Sequence, residues 1–410
     1  MIFYSYFKQN AEAVVNFNEW MKEKTREWIL PLFEAEDFSE VKTIVDVGGN
    51  IGTLTAVILK ANLASFLIRN EVIFFRSEKT LWQTLLNRFA QTISQKNMYT
   101  QNQFSCFLIG EGTLPIQCAE LLLERGHEIL GVISSDASIS SWAKGKDIPH
   151  IQQTDNLVAF LSQQPFDYLF SIVNNSVLPK EILELPRIEA INCHDSLLPR
   201  YAGVNATSWA LMHGEKTHGV TWHMMTAMVN EGHILKQISV EINSDETAFT
   251  LNGKCYEAAI CSFAELIDEL SSGQALVRKP NLDERTYFGR YKRPRAGGVI
   301  SFNCCAHDID ADLRALDFGP YPNQLGLAKL VLGNNSLIVS KLEVLGDQPK
   351  SPPGTITAIE PSFLKVSTAS YSVALHQVLT IGGQVLPIPD LVARFGLQLG
   401  IGLKTSSRIG

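Results

Sequence analysis

The sequence predicts an α/β protein, in which a parallel sheet covered by helices is followed by a smaller β-rich domain. From residue 104 onward, apolar runs of strand length alternate with amphipathic helix patterns, which is typical of a parallel sheet. After residue 286 short strands alternate with turns, the pattern of a small barrel or sandwich. Ahead of both, the apolar run 43–47 leads into a glycine-rich loop and a helical pattern.

The composition favours a folded, multidomain chain. Its 410 residues are 45% hydrophobic and 19% charged, which suffices for more than one apolar core. No run approaches eighteen consecutive apolar residues, so no membrane span is predicted. The start, MIFYSYFKQN, lacks a basic leader, and we predict a cytoplasmic protein. The net charge of −7 argues against DNA as a partner.

The seven cysteines are scattered and form no CxxC pair. An odd, dispersed set predicts neither a disulfide framework nor a structural zinc site. The histidines at 218, 223 and 233 show no ligand spacing, and packing within strands accounts for them. We therefore predict reduced thiols and no metal.

Pattern and composition divide the chain into a leading segment, a polar linker, a main α/β domain, a β-rich domain and a tail. The closing SSRIG is linker-like, which suggests the front end of a larger protein. These five parts are predicted at 1–75, 76–103, 104–285, 286–400 and 401–410.

The leading segment contains VDVGGNIG at 45–52, preceded by FNEWM at 17–21. Both resemble S-adenosylmethionine-dependent O-methyltransferases, in which such a loop brings backbone N–H groups close to the cofactor. No further strand supplies the acidic residue that would hold the cofactor ribose. We therefore expect a truncated methyltransferase-like remnant without S-adenosylmethionine, and a methyltransferase ranks last among the functions considered.

The most informative segment of the main domain is INCHDSLLPRYAG at 191–203. Asn192 and His194 are two apart at the end of a predicted strand, so their side chains share one face, and strand ends of parallel sheets are where active sites gather. An amide donor can stabilise an oxyanion, and an imidazole can move a proton at neutral pH. This pairing suits acyl transfer.

With the THGVT and VNEGHIL segments that follow, this signature resembles the formyltransferases that use formyl-tetrahydrofolate, over about residues 104–283. LDFGPYPN and PIPDLVARFGLQLG resemble their C-terminal β-rich, barrel-like domain. The segment YAGVNATSWAL is most similar to the formylation domains that begin nonribosomal peptide synthetases, which formylate an aminoacyl thioester on a carrier protein.

The resemblance implies roles for individual residues. Asn192 would polarise the formyl oxygen, His194 would assist proton transfer, and Asn230 would occupy the third catalytic position. The residues implied to contact the folate donor, without a metal, are Ile172, Val173, Asn174, Asn175, Leu178, Ser196, Leu197, Leu198, Met225 and Val229.

Asn230 is a departure, because the family has an aspartate at this position. An amide cannot ionise or accept a proton, and lost acid–base assistance costs roughly 10²–10⁴-fold in rate. Two interpretations stay open: an adapted enzyme, with Glu231 or Asp195 as a possible substitute acid, or a docking domain that has lost catalysis. Asn230→Asp is expected to accelerate a slow enzyme but not a scaffold with a blocked pocket.

The acceptor is predicted from the segment 134–146. Methionyl-tRNA formyltransferases carry a basic insertion there, whereas this segment is short and has two lysines, and binding a nucleic-acid backbone takes several basic residues. The basic cluster Arg290, Lys292, Arg293 and Arg295 would suit an acidic carrier protein or tRNA, or would form a solvated connector, which is the commonest role of such a run. We favour the carrier-bound aminoacyl group, with methionyl-tRNA as the alternative.

Overall fold

The computed structural model describes residues 102–153 and 155–403, together with the backbone of three short strands between residues 43 and 74. The chain divides into two units, Met1–Tyr99 and Thr100–Gly410. In the first unit β1 (Thr43–Ile44), β2 (Ser65–Ile68) and β3 (Glu71–Phe74) form an antiparallel sheet with β3 in the centre. The glycine-rich loop 45–52, the segment 17–21 and the linker up to residue 101 lie outside the described residues.

The second unit contains a seven-stranded sheet in the order β11-β10-β8-β7-β4-β5-β6. The strands β4 to β8 pair in parallel, whereas β10 and β11 are antiparallel additions at one edge. The strands are β4 (Ser105–Gly110), β5 (Glu128–Ile133), β6 (His150–Ile151), β7 (Tyr168–Ile172), β8 (Glu189–His194), β10 (Thr217–Met224) and β11 (Ile234–Glu241), with the two-residue β9 (Ala202–Gly203) between β8 and β10.

Helices cover both faces of this sheet, as the alternating pattern predicted. Capping residues set their ends. The side chains of Asp136 and Asn156 accept hydrogen bonds from backbone N–H groups in the first turn of the helix that follows each of them. Gly273 adopts a left-handed conformation and caps the helix that ends at Ser272. The helices are α1 (Leu114–Glu124), α2 (Ala137–Gly145), α3 (Leu157–Leu161), α4 (Lys180–Leu183), α5 (Ala206–Met212) and α6 (Ala248–Ser272).

The core of the sheet lies on both of its faces. The fully buried Trp222 of β10 stacks on Phe263 of α6 with ring centroids 4.6 Å apart. Its indole N–H donates to Ser262 over 2.9 Å, so this large side chain is buried without leaving a polar atom unpaired. The packing ties the antiparallel edge of the sheet to α6.

The C-terminal domain is a six-stranded antiparallel sheet in the order β13-β14-β17-β16-β15, with β18 added to β17. This confirms the β-rich domain that the turn-punctuated sequence predicted. The elements are α7 (Ala306–Ala315), β13 (Lys329–Leu332), β14 (Asn335–Val344), β15 (Ile356–Glu360), β16 (Phe363–Val366), β17 (Val373–Leu379), β18 (Val385–Leu386) and α8 (Ile388–Phe395).

The connection between the two domains is packed rather than loose. The strand β12 (Tyr287–Phe288) pairs in parallel with β9, and Phe288 stacks on Trp209 of α5 at 4.8 Å. Phe288 and Trp209 belong to the same apolar cluster as the core of the C-terminal sheet. The two domains therefore share a core, and a cleft lies beside it.

No helix of the described part of the chain combines the length and apolar character needed to cross a bilayer. All seven cysteines lie among the described residues and are unbonded. Within 102–153 and 155–403, no group of three or more His, Cys, Asp or Glu side chains is arranged to hold a metal ion.

Candidate active site

A cleft of about 710 Å³ opens at the carboxyl ends of β7 and β8. Loop residues 173–178 line one side, residues 225–230 line another, and α6 contributes Tyr256. Residues of the C-terminal domain complete the far end, among them Phe318 and Gln324. Ligand sites in parallel sheets form at this edge, so the position agrees with the site predicted from the sequence.

His194 is the last residue of β8 and is buried. Its Nε2 lies 2.9 Å from the carbonyl oxygen of Tyr201. A carbonyl only accepts, so Nε2 carries a proton and Nδ1 is the nitrogen free to take another one. The Oδ1 atom of Asp195 lies 3.7 Å from Nδ1, and a carboxylate at this distance attracts a positive charge on the ring.

His223 joins the site from the neighbouring strand. In the antiparallel register of β10 and β8 it lies directly opposite Asn192. Its Nδ1 lies 2.8 Å from the carbonyl oxygen of Met224, which requires a proton on Nδ1 and leaves Nε2 as an acceptor. The Nδ2 atoms of Asn192 and Asn230 both lie 3.2 Å from this Nε2. Burial lowers the pKa of His223 to about 4, so the ring is neutral.

Asn230 is held by the backbone on its other side. Its Oδ1 accepts the N–H of Gly203 over 3.0 Å, and a backbone N–H can only donate, so the orientation of the amide is unambiguous. Asn230 itself has a φ of 56°, a left-handed conformation that asparagine tolerates better than most residues. Arg285 fixes the same loop by donating to the carbonyl of Val229 over 3.0 Å.

The orientation of Asn192 is set through a second chain of hydrogen bonds. Its Oδ1 accepts from the Ser171 hydroxyl over 2.9 Å, and that hydroxyl accepts from Asn174 Nδ2 over 3.3 Å. The backbone N–H of Ser176 donates to Asn174 Oδ1 over 3.0 Å, which fixes the sense of the whole chain. The backbone N–H of Ser176, the side-chain amide of Asn174 and the hydroxyl of Ser171 thus hold Asn192 with its Nδ2 facing His223.

Two family models match this chain over the parts that carry the fold and the cleft. Residues 148–266 match the model described as Formyl transferase, and residues 294–396 match the model described as Formyl transferase, C-terminal domain. The chain contains both formyl transferase domains. The two matches follow each other along the chain in the same order as the α/β domain and the antiparallel C-terminal sheet.

Individual relatives match a larger share of the chain than either family model does. Methionyl-tRNA formyltransferase of Legionella pneumophila is 24% identical over 318 residues, which cover 74% of this chain and 99% of that protein. The structure of WlaRD, a sugar 3N-formyl transferase with dTDP and 5-N-formyl-THF, aligns with a TM-score of 0.55 at 16% identity, over 68% of this chain and 98% of its own. HypX from Aquifex aeolicus with tetrahydrofolic acid aligns with a TM-score of 0.50 at 15% identity, over 73% and 48%. At these identities the structures show a shared fold.

Most residues predicted to contact a donor lie along the cleft of the formyl transferase domain. Those that line it are Val173, Asn174, Asn175, Leu178, Met225 and Val229. Ile172 is fully buried at the end of β7 and does not line it. Ser196, Leu197 and Leu198 are absent from its lining as well: the Ser196 hydroxyl donates to the Arg200 carbonyl over 2.7 Å, and the Leu198 N–H donates to Thr221 over 3.1 Å.

The two carboxylates considered as substitutes for an aspartate at 230 are placed differently. Asp195 lines the cleft beside His194. Glu231 is turned toward Arg285, whose Nε lies 3.2 Å from Oε1. Of the two, only Asp195 is positioned to act on His194.

The sequence predicts that His223 packs within a strand, and it predicts no role for Ser171 or Tyr256. His223 is on a strand as expected, but its ring reaches the cleft. The alternation of side chains along β10 could have shown which face of the sheet His223 lies on. It could not have shown the register that places His223 opposite Asn192. Burial raises the pKa of Tyr256 to about 12, so its hydroxyl keeps its proton where it lines the formyl transferase cleft.

Proposed function

We propose that this chain transfers a formyl group from formyl-tetrahydrofolate to the amino group of an aminoacyl substrate, with a thioester on a carrier protein as the acceptor. The observation that carries the proposal is the convergence of Asn192 and His194, adjacent on one face of β8, on a cleft that both formyl transferase domains line. That arrangement supplies a hydrogen-bond donor and a proton acceptor for a single carbonyl centre.

The reaction is an acyl transfer between two nitrogens. The acceptor amine attacks the formyl carbon, a C–N bond forms, and the formyl oxygen becomes an oxyanion that Asn192 stabilises. His194 takes a proton from the attacking nitrogen through Nδ1, beside Asp195. The intermediate collapses by breaking the bond to the folate nitrogen, which receives the proton held by His194 as it leaves.

The folate donor is supported by the relatives and by the lining of the cleft. Structures with the same fold hold 5-N-formyl-THF or tetrahydrofolic acid. In this chain the side formed by 173–178 and 225–230 offers apolar groups such as Val173, Met225 and Val229 beside the Asn174 and Asn175 amides. A cleft wall that combines apolar side chains with fixed amide groups suits a flat heterocycle that carries hydrogen-bonding atoms.

The carrier-bound acceptor is supported by the distribution of basic side chains. In the segment 134–146 the two lysines are Lys144 and Lys146, and Lys146 pairs with Glu120 over 3.0 Å. Few positive charges thus remain there to bind a nucleic-acid backbone. Among the described residues, no carboxylate lies within ion-pair distance of the basic cluster Arg290, Lys292, Arg293 and Arg295, and Arg290 lines the cleft.

Aminoacyl-tRNA is the second candidate acceptor, because the alignment with the Legionella methionyl-tRNA formyltransferase covers 99% of that protein. The exposed basic residues Arg290, Lys292, Arg293 and Arg295 offer it a positive surface as well.

A parallel acceptor assay separates these candidates. The full chain is incubated with formyl-labelled formyl-tetrahydrofolate and either an aminoacyl-loaded carrier protein or aminoacylated tRNA, and acid-stable label on each acceptor is counted. We expect label on the carrier-bound amino acid. Label on tRNA alone would assign the second candidate, and label on neither would favour a docking domain that has lost catalysis.

A further inference from the structure

We propose that Asn230 is a second amide donor to the oxyanion, and that His223 is the positioning residue that holds Asn192 and Asn230 side by side. This inference rests on the proposed function, because the oxyanion belongs to that reaction. It gives position 230 a role that an aspartate could not perform. Asn230 then contributes to the transfer as a hydrogen-bond donor, without any proton transfer of its own.

The two amides converge because they share one acceptor atom. Asn192 Nδ2 and Asn230 Nδ2 each lie 3.2 Å from Nε2 of His223. Each NH₂ group has two hydrogens, and one of them is used in this contact. Among the described residues the second hydrogen of each amide has no protein acceptor, and both side chains line the cleft. Two N–H groups are thus available from neighbouring points, as an oxyanion site requires.

The direction of every hydrogen bond follows from backbone groups. The N–H of Gly203 fixes the amide of Asn230, and the carbonyl of Met224 fixes the proton of His223 on Nδ1. The remaining lone pair on Nε2 therefore faces the two amides as an acceptor. Any rotation of either amide would place an oxygen against this lone pair, so the pattern has a single satisfied form.

The surroundings of His223 keep the ring neutral. Burial is the main cause of its low pKa, and the positive charge that His194 can carry on β8 acts in the same direction. The cleft is also lined by Asp195 and Cys193 at the end of β8, by Cys255 and Tyr256 on α6, and by Tyr287 and Arg290 at the start of the C-terminal domain. Burial raises the pKa of Cys193, Cys255 and Tyr256, so these three stay uncharged at neutral pH.

A carboxylate at position 230 would not fit this pattern. One of its oxygens could still accept from Gly203, but the other would face the lone pair of Nε2 with no proton between them. The pair would be satisfied only if His223 took up a second proton, which burial opposes but which the adjacent negative charge of the new carboxylate favours more strongly. Asn230→Asp is therefore expected to protonate His223 and remove a donor, and to slow the transfer rather than accelerate it.

The test uses the full chain with five variants: Asn230→Asp, Asn230→Ala, His223→Gln, His223→Leu and, as a distant control, His376→Gln in the C-terminal sheet. Formyl transfer to the acceptor found above is measured for each variant, with its thermal midpoint. The ring of His223 is followed by NMR of histidine labelled with ¹⁵N, assigned by the signal that His223→Gln removes.

We expect both Asn230 variants to lower the rate by about 10²-fold, the effect of removing one oxyanion donor. His223→Leu should lose a similar factor, because it leaves both amides without their acceptor. His223→Gln should stay within about tenfold of wild type, since its Oε1 can accept from both amides. In the spectra, wild-type His223 should be neutral with its proton on Nδ1, and Asn230→Asp should convert it to the doubly protonated form.

Three outcomes would overturn the inference: a faster Asn230→Asp enzyme, full activity in a folded His223→Leu variant, or a wild-type His223 that is protonated on Nε2. The NMR measurement needs no turnover. A correct His223 tautomer without formyl transfer to any acceptor would remove the proposed function, and with it the oxyanion role. Transfer with the wrong tautomer would remove this inference alone.

Discussion

Asn230 donates an amide hydrogen to Nε2 of His223 across 3.2 Å. The contact joins a loop residue to the carboxyl end of β10, and the same nitrogen accepts a hydrogen bond from the amide of Asn192 on β8. Asn230, which the family resemblance places at the position of an aspartate, is therefore part of a satisfied hydrogen-bond network. We predict that formyl transfer depends on this network as well as on His194.

The neutrality of His223 predicts an acid-dependent loss of stability. Burial lowers its pKa to about 4 from the ordinary 6.5. Between these two pH values the unfolded chain binds a proton at this histidine that the folded chain excludes. The contribution of His223 to the free energy of unfolding is therefore complete above about pH 6.5 and is lost as the pH falls toward 4. In urea unfolding, His223→Gln should reduce the difference in free energy between neutral and acidic pH by about 1 to 3 kcal/mol.

The control for this measurement is His376→Gln, which changes a histidine on the C-terminal sheet that pairs with Glu343. His127 is a second buried histidine whose pKa burial lowers to about 4, so the acid loss should be reduced and not abolished. An unchanged pH dependence in His223→Gln would show that the ring is not held neutral in the folded chain.

The two candidate carboxylates predict opposite mutational results. Asp195→Asn removes the charge 3.7 Å from His194 and should lower kcat by at least about tenfold. Glu231→Gln should leave kcat near wild type and lower stability by on the order of 1 kcal/mol, since it only weakens the pair with Arg285. Steady-state kinetics and thermal unfolding of the two variants distinguish these effects. A large drop in kcat for Glu231→Gln alone would reverse the assignment.

Substitution of Gly203 tests whether the backbone of β9 positions Asn230, because the Gly203 N–H donates to that side chain. A Cβ at this position would lie 2.1 Å from the carbonyl oxygen of Phe288, and φ is 106°. Gly203→Ala should therefore separate β9 from β12 and displace the N–H that holds Asn230. Gly214→Ala is the matched control, because it has a positive φ of 67° but no atom within 4 Å of the added Cβ.

The loss of unfolding free energy in Gly203→Ala should exceed the roughly 1 kcal/mol expected from the backbone penalty in Gly214→Ala. Formyl transfer should fall in the first variant only. Equal losses of stability with equal activity would mean that β9 adjusts without moving Asn230.

The parts of this structure that were predictable are those encoded by local pattern. Alternation and periodicity predicted the parallel sheet, its helices and the C-terminal strands. The spacing of Asn192 and His194 at one strand end made them candidates, and the resemblance of the surrounding segment to formyltransferases implied their roles. The role of His223 depends on the register between β10 and β8, and strands that are 31 residues apart in sequence at this contact do not reveal their register locally.

Asn230 shows the same limit from another direction. Its neighbours in sequence suggested that Glu231 might replace a missing acid. Two residues that are distant in the chain orient these side chains differently. Arg285 pairs with Glu231, whereas the backbone N–H of Gly203 donates to Asn230. Such contacts follow from the packing of β9 and β12, and the sequence carries no local signal for them.

The most direct test of the account is intact-mass spectrometry of an aminoacyl-loaded carrier protein incubated with this chain and formyl-tetrahydrofolate, beside His194→Ala. The account predicts that the carrier gains the mass of one formyl group with the wild-type chain, and that His194→Ala abolishes this gain while remaining folded. No gain with the wild-type chain, or an equal gain with His194→Ala, would contradict it.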